Sequence, residues 1–290
     1  MKNNFKNPPP GKIVKVNGHN MHVFPEGQGD KTLIFMSGHG TVCPTLDFKP
    51  LWSLLVSKYK IAVVEKFGYG WSDITKTPRD LDTMLADTRE SLKLSGFNPP
   101  YTLVPHSLSG LEATYWAQKY PHEVSAIIML DPNVPDMAET VKPSIIMKIA
   151  LNLIGKVSQN MSDSKAQKTL EKKVPYASFK SLSKDDQAIF IDVFRHRTYT
   201  EDMLREMNDL PQNTKLVKSM PMPVTVPLLL FSSDFGKTPK YAKFLQFHKE
   251  FAAMFTNAKH IELDCGHYVH SFEPKKIAEE IDAFLSEIAI

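Results

Sequence analysis

Short, fully apolar runs recur along the 290-residue chain, and each is bounded by polar residues, Gly or Pro. Runs of about four to six apolar residues are typical of parallel β-strands that are buried on both faces. The strands predicted in this way cover residues 33–36, 61–64, 101–104, 126–130, 226–231 and, more weakly, 260–263. Before them, two short apolar segments flank Asn17-Gly18, a turn-forming pair that predicts a β-hairpin over residues 13–24.

Helix-like stretches separate most of the predicted strands. They cover residues 49–57, 83–95, 108–120, 241–255 and 274–288. Strands that alternate with helices predict an α/β domain with right-handed crossovers. The alternation fails between about Val134 and Met222, where no apolar run resembles a buried strand.

The segment in which the alternation fails is expected to be helical. Helical periodicity occurs there at residues 144–154 and 185–194. We therefore expect one α/β core, made of residues 1–133 and 223–290, with residues 134–222 inserted into it as a helical cap or lid.

Charge is unevenly distributed along the chain. The whole sequence has 35 Lys/Arg and 32 Asp/Glu, a formal net charge of +3. Nucleic-acid-binding domains usually carry a concentrated basic face, so this near balance argues against a nucleic-acid partner. Residues 142–218 nevertheless have 14 Lys/Arg and nine Asp/Glu, a net charge of +5. That excess fits a solvated helical surface, or a basic lid that attracts anionic substrates or an anionic interface.

Composition indicates no metal, cofactor or membrane span. Cys43 and Cys265 have no second Cys or paired His at the spacing of zinc ligands, so two reduced thiols are expected, with a single disulfide as the alternative. Gly68-Tyr69-Gly70 lacks the third Gly of a dinucleotide fingerprint. No apolar run approaches the roughly 18 residues of a spanning helix, and the N-terminal residues lack the apolar stretch of a secretory leader. We expect a cytoplasmic, cofactor-independent protein, with export or membrane anchoring as the alternative if a leader has been removed.

The chemistry-bearing residues begin at the end of the predicted strand 101–104. This strand continues into Pro-His-Ser-Leu-Ser-Gly at 105–110 and then directly into a helix. A strand, a sharp turn and a helix in this order present a nucleophilic serine, with small residues two before and two after it because the backbone is crowded there. Pro105 and Ser109 depart from G-x-S-x-G, but proline is tolerated at the end of a strand and serine is nearly as small as glycine. We expect Ser107 to be the nucleophile.

A serine hydroxyl is a weak nucleophile at neutral pH and needs a base within hydrogen-bonding distance, which in turn needs a third group to orient it. His267 is the predicted base, because it follows the last predicted strand in a glycine-containing turn and should lie at the carboxyl edge of the sheet. His106 adjoins the nucleophile and should point away from it. His270 lies beyond the turn, and His19 precedes the core strands.

These motifs resemble those of the α/β-hydrolase superfamily, specifically of the lidded group whose elbow typically has the sequence G-H-S-L-G-G. Residues 33–40 are similar to the family's strand and H-G-x motif, with Ser37 in place of the usual histidine. Residues 67–72 are similar to its G-x-G-x-S turn, with Glu-Lys at 65–66 where Asp-Arg is usual, and residues 265–268 to its terminal G-H element. The resemblance covers nearly the whole chain. It implies a mostly parallel central sheet with helices on both faces and a helical lid inserted after the sixth strand.

The resemblance leaves two candidates for the acid that would orient His267. In much of the family the acid follows the seventh strand, three residues after a glycine. Here the glycine slot is Ser233 and the acid slot is Gly236, so the usual acid is absent, although Asp234 is nearby. Some lidded relatives carry the acid at the end of the sixth strand, where this chain has Asp131. Both preserve the chain order serine, acid, histidine. We favour Asp131 over Asp234, with a strand-terminating turn as the alternative role of Asp131.

An oxyanion needs two hydrogen-bond donors aimed at it, and backbone N–H groups supply them without reorganisation. One donor is expected to be the N–H of Leu108, the residue after the nucleophile. The second is expected from the loop after the first parallel strand. Alignment of residues 37–38 with the family motif favours His39, with Gly40 or Thr41 if the register differs.

The leading hypothesis is a cofactor-independent serine hydrolase, most simply a carboxylesterase that acts on small or medium esters through an acyl-enzyme on Ser107. Serine at this position disfavours the haloalkane dehalogenases and epoxide hydrolases of the same fold, which use aspartate there. Lipase, thioesterase, peptidase, carbon–carbon bond hydrolase and acyltransferase all share the same constellation, and fold alone does not choose among them.

Two further hypotheses come from other classes. Because positions 37, 105, 109 and 236 depart from the family motifs, a ligand-binding protein with little turnover is the first of these hypotheses. The apolar helix at 144–154 and the basic lid suggest a membrane-associated lipase. In every case the expected partner is a small-molecule ester or related acyl compound, and the sequence does not indicate the number of subunits.

Overall fold

A central β-sheet organises the chain. The computed structural model describes residues 5–142, 144–172, 174–234 and 239–288, so the N-terminal residues 1–4 and Gly236 lie outside the described residues. The strands are β1 (Lys12–Val16), β2 (His19–Glu26), β3 (Thr32–Met36), β4 (Lys60–Glu65), β5 (Tyr101–Pro105), β6 (Val124–Leu130), β7 (Leu228–Ser233) and β8 (Ala258–Leu263). They lie in the order β1-β2-β4-β3-β5-β6-β7-β8. β2 is antiparallel to β1 and β4, and the other neighbouring pairs are parallel.

The first hairpin forms where the turn-forming pair predicts it. Val16 pairs with His19 across Asn17 and Gly18, whose φ angles are +50° and +81°. A two-residue turn with both residues in the left-handed region matches the twist of the flanking strands. The predicted hairpin is therefore confirmed.

Side chains on the parallel strands alternate between two apolar cores, one on each face of the sheet. On β6, Ile127 and Met129 belong to the first core, whereas Ile128 and Leu130 belong to the second, and all four are fully buried. Both faces of the parallel strands are covered, which is why these strands are continuous apolar runs in the sequence. The predicted strands are all present, although β7 begins two residues later than its prediction and extends to Ser233.

The described residues contain twelve α-helices. They are α1 (Pro44–Asp47), α2 (Lys49–Leu55), α3 (Leu81–Leu94), α4 (Ser109–Lys119), α5 (Pro135–Glu139), α6 (Ile145–Gln159), α7 (Asp163–Lys172), α8 (Lys184–Arg197), α9 (Glu201–Ser219), α10 (Pro239–Ala253), α11 (Val269–Phe272) and α12 (Pro274–Glu287). The first core packs against α3, α4 and α10, and the second against α2 and α12. Helices thus cover both faces of the sheet, and these five helices are the ones predicted outside the segment 134–222.

Between β6 and β7 the described residues form α5 to α9 and a 3₁₀ stretch, Val174–Ser181, without a strand. Helices α6 and α8 are predicted by the periodicity, whereas α7 and α9 are not. Helix α9 is not predicted because it contains Pro211, and a proline ordinarily interrupts a helix. The apolar face of α9, which includes Val217, is buried in the first core, and this packing outweighs the local preference.

A third apolar core joins these helices to loops at the carboxyl edge of the sheet. Leu170 of α7 and Phe190 of α8 belong to it, together with Val42, which follows β3, and Trp71, which follows β4. All four side chains are buried. The helices between β6 and β7 are therefore packed against the edge at which parallel strands present their functional residues.

A buried ionic cluster fixes α9 against the core. The Lys66 ammonium, directly after β4, lies 2.5 Å from a carboxylate oxygen of Glu112 on α4 and 2.9 Å from one of Glu206 on α9. Tyr69 donates a 2.7 Å hydrogen bond to Glu206. Burial alone would lower the pKa of Lys66 and raise that of Glu206. The opposite charges outweigh it, so the pKa of Lys66 is raised and that of Glu206 is lowered.

We expect Lys66→Met to lower the free energy of unfolding by about 3–5 kcal/mol, because it removes the ammonium that forms ion pairs with two buried carboxylates. Urea titration followed by circular dichroism measures the change. The control is Lys58→Met, since the Lys58–Asp282 pair is largely exposed and should contribute at most about 1 kcal/mol. Equal losses in the two variants would contradict an anchoring role for the Lys66 cluster.

Candidate active site

Ser107 lies on a sharp turn between β5 and α4. Its φ is +53°, in the left-handed region that residues other than glycine rarely adopt. The backbone N–H of Ser107 donates to the carbonyl of Leu130 at the end of β6, at 3.3 Å, and its carbonyl accepts the N–H of Asn133 at 2.7 Å. These bonds hold the strained turn in place. The strand, turn and helix predicted around Ser107 are present.

The two departures of the turn from G-x-S-x-G have local structural roles. The Ser109 hydroxyl donates to the carbonyl of Met36 on β3 at 2.6 Å and accepts the N–H of His106 at 3.0 Å. A Cβ on Gly110 would lie 2.8 Å from the carbonyl oxygen of Asn133, which explains a glycine at 110. Pro105 ends β5, where the missing N–H is tolerated.

Ser107, His267 and Asp131 form one chain of hydrogen bonds. His267 follows β8, and its Nε2 lies 2.9 Å from Ser107 Oγ. Its Nδ1 lies 2.6 Å from Asp131 Oδ2, directly after β6. With Asp131 ionised, Nδ1–H donates to the carboxylate and the unprotonated Nε2 accepts the Ser107 hydroxyl. The arrangement can therefore accept a proton from Ser107 while the carboxylate stabilises the resulting imidazolium.

Asp131 is itself held by the end of β7. The backbone N–H of Ser233 donates to Asp131 Oδ1 at 2.8 Å, and the Ser233 hydroxyl donates to Oδ2 at 2.7 Å. Burial alone would raise the pKa of Asp131. The hydrogen bond and charge of His267, the charge of His248 and the Ser233 N–H outweigh burial and lower this pKa. Asp131 is thus an ionised, oriented acceptor at neutral pH.

Asp234, the other candidate acid, follows β7 at the neighbouring position. Its backbone N–H donates to the carbonyl of Leu263 on β8, at 3.0 Å. The carboxylate that accepts the hydrogen bond of His267 Nδ1–H is that of Asp131. The glycine slot of the usual family pattern, Ser233, contributes a hydroxyl to that same carboxylate.

The competing histidines lie close by but have other partners. His106 Nε2 is 3.1 Å from the backbone oxygen of His267, and the two ring centroids are 4.7 Å apart. Burial is the main reason that the pKa of His106 lies well below its ordinary value, with the charges of His267 and His270 adding to it. A neutral His106 therefore donates from Nε2 to the backbone of the loop that carries His267. His270 Nε2 lies 3.0 Å from a carboxylate oxygen of Asp47.

The loop after β3 lies against Ser107. A Cβ placed on Gly38 would be 2.7 Å from the Ser107 Cβ, so only glycine permits this approach. His39 follows in the same loop, and Leu108 directly precedes α4. Both ring nitrogens of His39 are buried without a hydrogen-bond partner among the described residues. Burial lowers the pKa of the His39 ring, despite the nearby charge of Glu206.

A cavity of about 370 Å³ opens beside Ser107 and His267. Its wall combines the hydrogen-bonded groups with apolar and aromatic side chains. The lining residues are Ser107, Asp131, Asn133, Met137, Val141, Ser233, Tyr241, Phe244, His248, His267 and Tyr268. A mostly apolar pocket with a few convergent polar groups is the usual form of a small-molecule site.

The described residues contain no metal-binding cluster, disulfide or membrane-spanning helix. Among them, no group of three or more His, Cys, Asp or Glu side chains is arranged to hold a metal ion. Cys43 is buried and Cys265 is half-buried, and both are free thiols. No helix in the part of the chain that the structure describes has both the length and the apolar content to cross a bilayer.

Three neighbours of the site have roles that the motifs do not indicate. Ser233 holds Asp131, and His106 holds the backbone of His267. His248 lies 4.0 Å from Asp131, and its Nε2–H donates to the carbonyl of Pro132 at 2.7 Å. Because burial lowers the pKa of His248, its ring is neutral and its Nδ1 accepts the Ser232 hydroxyl, also at 2.7 Å. Of these, only Ser233 gives a sequence signal, because it occupies the glycine slot after the seventh strand.

Known proteins resemble the chain along most of its length. Residues 44–175 match the family described as alpha/beta hydrolase fold. YbdG, an uncharacterized protein of Bacillus subtilis, is 35% identical over 286 residues, 96% of this chain and 86% of that protein. A cis-3-alkyl-4-alkyloxetan-2-one decarboxylase of Shewanella oneidensis is 24% identical over 292 residues, 93% of this chain and 86% of the enzyme.

Solved structures share the same fold. A thermophilic esterase from Thermogutta terrifontis has a TM-score of 0.68 at 14% identity, with 97% of this chain and 100% of the esterase covered. This likeness concerns the fold, because the identity is low. The mostly parallel eight-stranded sheet, the turn at Ser107 and these similarities together show that the chain belongs to the α/β-hydrolase superfamily.

Proposed function

We propose that this α/β hydrolase is a serine carboxylesterase for small or medium esters. The observation that carries the proposal is the hydrogen-bonded chain from Ser107 Oγ through His267 to Asp131, with distances of 2.9 Å and 2.6 Å. A nucleophile, a base and a group that orients the base, in contact in this order, are what acyl transfer to serine requires.

In the first half-reaction, Ser107 Oγ attacks the ester carbonyl carbon while its proton passes to His267 Nε2. The carbonyl oxygen becomes an oxyanion, for which the backbone N–H groups of Leu108 and His39 are the proposed donors. The close approach of the Gly38 backbone to Ser107 supports the assignment to this loop. The imidazolium then gives its proton to the alcohol oxygen, the carbon–oxygen bond breaks, and the acyl group remains on Ser107.

In the second half-reaction, water attacks the acyl carbon and gives its proton to His267. The new tetrahedral intermediate collapses, Ser107 leaves with the proton from His267, and the carboxylic acid is released. Asp131 keeps its negative charge throughout and stabilises the imidazolium in both halves. Its lowered pKa supports this role, because the carboxylate stays ionised at neutral pH.

The inserted segment, residues 134–222, is proposed to be the cap over this site. Met137 of α5 and Val141 line the cavity beside Ser107, together with Tyr241 and Phe244 of α10. Their apolar side chains favour an uncharged acyl or alcohol group. The volume of about 370 Å³ suits a compact ester.

A cyclic ester is a useful second substrate class. The oxetan-2-one named for the Shewanella relative is a four-membered lactone, and attack by a serine hydroxyl would open its ring through the same tetrahedral intermediate. The ligand-binding alternative is less favoured, because the departures at 105 and 109 lie in a turn that still presents Ser107 at hydrogen-bonding distance from His267.

We expect a fluorophosphonate probe to label Ser107, because the probe reports a serine activated by a neighbouring base. Ser107→Ala should abolish labelling and lower kcat on a p-nitrophenyl ester by roughly 10⁶-fold. Intact-mass spectrometry and initial rates measure the two effects, and Ser286→Ala, at an exposed position on α12, is the control that keeps the nucleophile and its turn. A folded parent protein that resists the probe would contradict the proposal and favour the ligand-binding alternative.

Asp131→Asn should lower kcat by on the order of 10³–10⁴-fold, because an amide cannot stabilise the imidazolium and selects the wrong tautomer of His267. Asp234→Asn, in the adjacent loop, should change kcat by less than about tenfold. Steady-state rates of both variants, compared after circular dichroism shows equal folding, decide between the two acids. The reverse ranking would assign the role to Asp234.

A panel of p-nitrophenyl esters of increasing acyl length, with one β-lactone, should give the highest kcat/KM for short or medium chains, since the cavity has limited volume. Met137→Ala should shift the optimum towards longer chains, whereas Met254→Ala, at an exposed position, should not. Steady-state kinetics across the panel measures the shift. A maximum at long chains in the parent would contradict the assignment to small or medium esters.

A further inference from the structure

Helix α6 turns large apolar side chains towards solvent. Ile145 is 74% exposed and Ile146 is 81% exposed. The other large apolar residues of this face are between 41% and 57% exposed, and they are Ile149, Leu153, Ile154 and Val157. Positions 145, 149, 153 and 157 follow one another at the spacing of one helix face. We call these six residues the α6 apolar strip.

The fully buried positions of α6 are occupied by small residues, whereas the larger Met147 and Leu151 are half-buried. Gly155 and Ser158 are its buried residues, and a Cβ on Gly155 would lie 2.7 Å from the carbonyl oxygen of Thr198. A surface helix normally buries its large apolar side chains and exposes its polar ones. In α6 six large apolar side chains are exposed instead, so packing among the described residues does not account for the α6 apolar strip.

Positive charge borders the strip. Lys148, Asn152 and Lys156 follow one another at helical spacing along one edge of it, and Lys142 precedes the helix. Helix α6 contains no Asp or Glu. An apolar strip edged by lysines is the pattern of a helix that lies in the plane of an anionic lipid surface, with its apolar side chains among the acyl chains.

Charge complementarity favours a lipid surface over a second copy of the chain. Two copies joined symmetrically through the strip would bring the lysines of both helices to one seam, and α6 offers no carboxylate to pair with them. An anionic bilayer would bury the α6 apolar strip among its acyl chains and attract the lysines to its headgroups. We propose that α6 is a membrane-surface anchor that binds the chain reversibly to bilayers containing anionic lipid. This proposal does not depend on the esterase activity.

Flotation of the full-length protein with vesicles tests the proposal. We expect binding to phosphatidylcholine vesicles with about 30% phosphatidylglycerol to be on the order of tenfold stronger than binding to pure phosphatidylcholine, and to weaken as salt screens the lysines. Ile146→Asp/Leu153→Asp should reduce binding at least about tenfold. Lys148→Gln/Lys156→Gln should remove most of the preference for anionic vesicles.

The controls are matched in chemistry but lie elsewhere. Leu54→Asp on α2 changes another exposed apolar residue, and Lys93→Gln on α3 changes another exposed lysine. Both should bind vesicles like the parent, and circular dichroism checks that all variants fold. Absence of vesicle binding by the parent would overturn the proposal. So would equal binding to both vesicle types, or a dimer in sedimentation velocity that Ile146→Asp/Leu153→Asp dissociates, because the strip would then cover a second copy.

Discussion

The register of the parallel strands β5, β6 and β7 is the constraint on which the candidate site depends. The strand ladder continues past the strand ends: Ser107 N–H donates to Leu130, and Asp131 N–H donates to Phe231 at 2.8 Å. The residues that leave these strands, Ser107, Asp131 and Ser233, therefore emerge side by side at one edge. A slip of one residue would turn each side chain to the opposite face of the sheet and break every contact with His267.

This placement is obtained at the cost of backbone strain at two points. Ser107 and Asp131 both have φ near +50°, namely +53° and +46°, and neither is glycine. Each such residue costs about 1–3 kcal/mol and persists only where its surroundings over-determine it. Here hydrogen bonds to neighbouring strands hold the strained residues in place. Ser233 donates to the Asp131 carboxylate, and Ser109 donates to the carbonyl of Met36. The strain lies at the residues proposed to perform the chemistry.

Much of the fold follows from local sequence, whereas the support of the site does not. Buried parallel strands leave apolar runs, so the sheet and the position of Ser107 are predictable from sequence alone. The choice between Asp131 and Asp234 cannot be made from the sequence alone. It depends on which carboxylate accepts the hydrogen bonds of the Ser233 hydroxyl and the His267 ring, and these groups come from different strands. Helix α9 escapes prediction for a related reason: Pro211 opposes it locally, and burial of Val217 stabilises it through distant contacts. Interactions between remote segments leave no periodic trace in the sequence.

The Lys66 cluster also restricts how a substrate can reach Ser107. Separating Glu206 from Lys66 would leave the buried Glu206 carboxylate without this ion pair, which is costly, so α9 is held firmly within the proposed cap. The lining of the cavity beside Ser107, in contrast, includes the apolar and aromatic side chains of Met137, Val141, Tyr241 and Phe244. Apolar contacts of this kind separate at much lower cost than a buried ion pair. Movement at these apolar contacts is therefore less costly than movement of α9, so we expect the proposed cap to open at its apolar lining and not at α9.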